Sequence, residues 1–132
     1  MMKKMLIAAT LASLSCSALA TDLTIDNHTP DMYSTALVNG VCMGGAQIFT
    51  PAGTMGAKIN WMTVQTLCGF TSPCKADVYV FPKADCSNLS TGIMVGKVAM
   101  DLNTGVITPA SVSNGGYTMT ALSNYYISFT KG

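Results

Sequence analysis

Polar and apolar residues alternate along most of this chain in short runs bounded by turn formers. That is the signature of strands with one wetted face. Asp22-Leu23-Thr24-Ile25-Asp26 alternates cleanly, and Asn27 to Asp31 reads as a turn. Ser34 to Cys42 alternates more weakly and carries Asn39-Gly40, a tight turn or bulge. Lys58 to Cys68 reads as one long strand with Ala57, Ile59 and Trp61 on a shared face. Val64 falls out of that phase, which predicts a bulge near Met62 and Thr63. Lys75 to Phe81 alternates again, with Ala76, Val78 and Val80 on one side and Lys75, Asp77, Tyr79 and Phe81 on the other. Ile93 to Leu102 is a strand with Met94, Val98, Met100 and Leu102 as its inner face, interrupted by Gly96. Asn103-Thr104-Gly105 connects it to a return strand ending at Thr108. Tyr117 to Leu122 and Tyr125 to Thr130 follow the turn at Asn114-Gly115-Gly116.

These patterns predict an all-β fold, an antiparallel β-sandwich of about seven short strands with no helix. The stretch from Trp61 to Cys86 is its centre, read as a β-hairpin stapled by a disulfide. Lys-Ala-Asp at residues 75–77 and 83–85 is the one recurring triplet, and no repeat of architectural length exists.

The first twenty residues do not belong to that fold. Lys3 and Lys4 precede an apolar run from Met5 to Leu14, and Ala18-Leu19-Ala20 is a small-residue cleavage motif. A signal peptide is predicted over residues 1–20, with cleavage between Ala20 and Thr21. Residues 21–132 are left as a single exported domain, periplasmic or extracellular. Lipid attachment at Cys16 is the rival reading, but Ser13 stands where a lipobox has leucine.

Export changes the cysteine count. Of five cysteines, Cys16 leaves with the signal, and Cys42, Cys68, Cys74 and Cys86 remain. An even number in an oxidising compartment reads as two disulfides, for which three connectivities exist. Cys68 ends one strand and Cys74 begins the next, so an antiparallel pair would bring them together and leave Cys42 with Cys86. Zinc and redox readings want close cysteine pairs, and that spacing is missing.

Charge narrows the partners. Five lysines face six aspartates after cleavage, with no arginine or glutamate and His28 neutral. Without arginine or a basic excess, a nucleic-acid partner has no electrostatic footprint. A stable membrane insertion of the mature chain is also not expected, since no further apolar run is long enough.

Candidate chemistry is sparse. His28 is the sole histidine and lies in a polar turn, without a nucleophile-elbow motif elsewhere. Asp22, Asp26 and Asp31 cluster without the spacing of a calcium loop. Methionine thioethers with His28 would suit copper(I), although methionine more simply fills space in a core. No catalytic residue, metal or cofactor is assigned. The candidate binding surface is Lys75, Asp77, Tyr79 and Phe81, an aromatic and polar patch if that side of its strand faces outward. Bulk argues the other way, for Tyr79 and Phe81 inside.

Leu23-Thr24-Ile25-Asp26-Asn27-x-Thr29, Asn39-Gly40-x-Cys42, Trp61 to Cys68 and Cys74-x-Ala76-Asp77-Val78-Tyr79 together resemble a group of small secreted proteins of Legionella-type gammaproteobacteria. The resemblance implies an exported β-rich domain with disulfides and a type II secretion route. It assigns no catalytic residues. The expectation is a secreted, non-enzymatic binding module acting on a protein or glycan at a host or envelope surface. A small hydrolase or enzyme inhibitor, and a periplasmic structural or metal-handling protein, are the alternatives.

Overall fold

The computed structural model describes residues 21–132, so the signal-peptide, Cys16 and Ala20 readings lie outside the described residues. Nine strands form two sheets. They are β1 (Asp22–Asn27), β2 (Tyr33–Val38), β3 (Ala57–Asn60), β4 (Cys74–Phe81), β5 (Ile93–Met100), β6 (Ile107–Thr108), β7 (Ser111–Asn114), β8 (Tyr117–Ser123) and β9 (Tyr126–Lys131). One sheet has the order β3-β1-β9-β8-β7 and the other β2-β4-β5-β6. Ile25, Met119, Ile127 and Phe129 from the first sheet share a core with Val78, Val80 and Val95 from the second.

The mostly β reading holds, with three corrections. The first concerns direction: β1 runs parallel to β9, from Thr24 beside Tyr126 to Asn27 beside Phe129. No hairpin can make that pair, because its strands lie at opposite ends of the described chain.

The second correction lies between Lys58 and Cys68. Only β3 is extended there, and Trp61–Leu67 forms a helix, α1. Asn60 caps it by accepting a hydrogen bond from the Met62 amide at 2.9 Å. Trp61, Val64 and Cys68 fall at helical spacing and are all buried in the shared core. The missing phase at Val64 is thus a change of period and not a bulge. The helix stops at Gly69, where φ is +63°. Consequently β4 does not pair with the run before it. Its neighbours are β2 and β5, and the expected stapled hairpin is instead a helix joined to a strand.

The third correction is on β5. The register slips opposite Val78 and Tyr79, so that Ile93 and Val95 join the core before the slip and Val98 and Met100 after it. Met94, expected on the inner face, pairs with outward-facing Tyr79 instead. Gly96 faces the other sheet so closely that a Cβ there would stand 2.5 Å from the Val112 Cβ. This position lets β7 approach β5.

Both disulfides take the favoured pairing. Cys68 and Cys74 are bonded with their Cα atoms 5.6 Å apart, and Cys42 and Cys86 with theirs 5.7 Å apart. The polar centre of the fold is Asn27. Its side-chain amide donates to the Met32 and Thr50 carbonyls, each at 2.9 Å, and its oxygen accepts from the Thr29 amide at 3.0 Å. That knot ties β1 to the two segments that follow it, in the absence of solvent.

Candidate functional site

The core decides which side of β4 faces out. Val78 and Val80 are packed between the sheets, so Lys75, Asp77, Tyr79 and Phe81 are on the outer side. Despite its bulk, Phe81 lies outward because it has a cover of its own. Phe81 is fully buried outside the main core, in a small cluster with Leu37 and Cys86. The Cys42–Cys86 bond holds the two loops that form this cover, and Phe49 meets Phe81 edge-on at 6.3 Å.

Burial removes Phe81 from the solvent-facing patch, and the other three residues stay on it. Tyr79 is half-buried and lies flat on Phe81, ring centroids 5.2 Å apart and planes within 8°. Asp77 accepts a hydrogen bond from Lys97 Nζ at 3.0 Å, across the β4–β5 register that pairs those residues. The turn at Asn39-Gly40 closes one side. Gly40 has φ +76°, and a Cβ on it would stand 3.1 Å from Asp77 Oδ2. Asn39, Lys75, Asp77, Lys97 and Thr108, together with Ala76, Val98 and Ala99, line a shallow depression of mixed character. The arrangement offers an aromatic face on one strand with two ammonium groups and one carboxylate.

His28 is elsewhere, at the end of β1. Its Nε2 is 3.9 Å from Asp26 Oδ2. Both carboxylate oxygens are already engaged, one by the Tyr126 hydroxyl at 2.7 Å and the other by the Gly56 amide at 2.6 Å. Those two bonds, the tyrosine's first, hold the Asp26 carboxyl below the usual carboxylate range. Asp31 is tied separately, accepting from Tyr117 Oη and Lys131 Nζ, each at 3.2 Å. Among the described residues no three His, Cys, Asp or Glu side chains converge as a metal would require. Met32 and Met119 are buried in the core.

The whole chain, residues 1–132, matches the sequence profile of a family described as T2SS substrate NttC. The chain belongs to the NttC family of type II secretion substrates. With that membership comes secretion to the extracellular medium. The crystal structure of the Legionella pneumophila type II secretion system substrate NttC superimposes with a TM-score of 0.66 at 29% identity. The alignment covers 84% of this chain and 97% of that one. No curated protein matches the chain. Membership of the NttC family accounts for export, disulfides and β-rich structure together, as the resemblance implied, and leaves the outer face of β4 to be read on its own chemistry.

Proposed function

We propose that this NttC-family chain acts outside the cell as a binding module and not as an enzyme, meeting a protein or glycan through the outer face of β4 and β5. Its carrying observation is Tyr79, stacked on buried Phe81 and next along the outer face to the Asp77–Lys97 pair, with Lys75 beyond it. A ring already held flat loses little freedom when a sugar or a partner side chain lies on it. The neighbouring ammonium and carboxylate groups supply directional polar contacts. Nucleic acid and bilayer are not partners in this reading, because the surface charge is balanced and lacks arginine.

The secreted protein should be applied to arrayed glycans and to intact host-cell and bacterial surfaces. Binding is expected to at least one, and Tyr79→Ala is expected to weaken it about tenfold with the melting temperature near wild type. Binding that is unchanged in both Tyr79→Ala and Lys75→Ala, or absent from every surface, would remove this face as the site.

A further inference from the structure

The interior holds a second feature, on the opposite side of β4. A cavity of about 110 Å³ lies between the β1–β3 edge of one sheet and the β2–β4 edge of the other, bounded at one end by α1. Leu23, Ile25, Ile59, Val64 and Val78 contribute to its wall. Its origin is legible in the pairing register. Ser34 and Ala36 on β2 and Ala76 on β4 take inward positions, where nearby core positions hold larger residues such as Ile25, Val78 and Val80. Small residues on two adjacent strands leave the sheets apart at this edge. Ala36 is exposed although it is on the inner side, and marks the opening.

One polar atom in this cavity is unaccounted for. Ser34 is 2% exposed, and its hydroxyl has no hydrogen-bond partner. Its main chain is satisfied, donating to and accepting from Thr50 at 2.9 Å. The polar groups at the rim are engaged with each other. Gln47 Nε2 donates to Thr35 Oγ1 at 2.6 Å and to the Ala36 carbonyl at 2.8 Å, and Thr35 Oγ1 donates to the Ile48 carbonyl at 2.6 Å. Native interiors are close-packed and rarely leave a hydroxyl unpaired, so each such case calls for an explanation. Water answers poorly, since it needs two to four polar partners and Ser34 Oγ is the one unpaired buried side-chain polar atom among the described residues.

We infer that the cavity is a binding site for a compact, neutral, mostly apolar molecule with a single hydrogen-bonding atom, a phenol or another small aromatic alcohol. An apolar cavity of about 150 Å³ accepts benzene, and this smaller one would hold a single ring with one edge in the opening at Ala36. The carbon wall excludes ions, which would be desolvated without a counter-charge. Ser34 Oγ pairs with the ligand hydroxyl and gives phenol an advantage over toluene. This site is separate from the Tyr79 face, and each stands without the other.

The test is methyl NMR of the secreted protein titrated with phenol and with toluene. Both are expected to shift the methyl resonances of Ile25 and Val78, with phenol about fivefold tighter, the worth of one neutral hydrogen bond. Ser34→Ala should abolish that preference and keep toluene binding. Ala36→Leu, at the exposed lip where bulk is tolerated, should exclude both. Methyl resonances of Ile25 and Val78 that stay in place at saturating phenol overturn the inference, as does a phenol preference that survives in Ser34→Ala.

Discussion

Tyr126 donates a 2.7 Å hydrogen bond to Asp26 between the parallel neighbours β1 and β9. The bond sets both titrations. The Asp26 pKa is lowered, chiefly by this bond, so the unfolded chain holds more protons than the native one in acid. The stability it contributes is present above the free carboxylate value of about 4 and is lost as pH falls through the lower native value. The Tyr126 pKa is raised, chiefly by the same bond. Its contribution is full below the free phenol value of about 10 and is lost as pH rises through the raised native value. In Tyr126→Phe the acid unfolding midpoint should therefore move to higher pH, read by circular dichroism. An unmoved midpoint would mean the bond is absent in solution.

Asn27 is the side chain whose loss should cost most per atom. It is fully buried, and its replacement by alanine strands the Thr29 amide and takes one of two donors from each of the Met32 and Thr50 carbonyls. Buried polar groups left unpaired cost about 1–3 kcal/mol each, with partial relaxation. Asn27→Ala should lose about 3 kcal/mol or more in a denaturant titration. Asn27→Asp, which keeps the shape and removes both donors, should not recover it.

The disulfides should rank by the length of chain they close. Sequence separations of 44 and 6 residues correspond, in the chain-entropy account, to about 4 and about 2 kcal/mol. Replacing Cys42 and Cys86 by alanine should thus lower the unfolding midpoint more than replacing Cys68 and Cys74. It should also loosen the cover over Phe81, which hydrogen exchange on Leu37 would report.

The span from Trp61 to Cys86 shows what could be read beforehand and what could not. Lys75 to Phe81 alternates, and β4 is there. Cys68 and Cys74 bracket a short loop, and their bond is there, although the element before the loop is a helix. The helix left a local trace, since Asn60 is a capping residue and Trp61, Val64 and Cys68 repeat at three and four. Threonine and valine within it have weak helix preference, so burial of Trp61 and Val64 decides the outcome. The outward direction of Tyr79 and Phe81 needed knowledge of what covers Phe81. The cavity beside Ser34 and Ala36 needed the strand order, because two edges in different sheets create it. Nothing local marks β1 as the neighbour of β9, and Ser111–Asn114 lacks the apolar alternation that would have marked β7.

Gly96 should tolerate no side chain while Val112 is opposite. Gly96→Ala puts a methyl where the Val112 Cβ already stands and should cost about 1–3 kcal/mol by overpacking. Val112→Gly in the same chain should recover part of that loss, whereas two independent losses would simply add. A double-mutant cycle on melting curves decides between these.

The parallel seating of β1 has a consequence for assembly. β1 lies between β3 and β9, so its sheet stays open on one flank until the final seven residues exist. Deleting them removes the strand that joins β1 to β8 and leaves the five-stranded sheet in two pieces. A chain in which only β1 to β8 are available therefore holds its earliest strand unfinished, and completion of that sheet waits on β9.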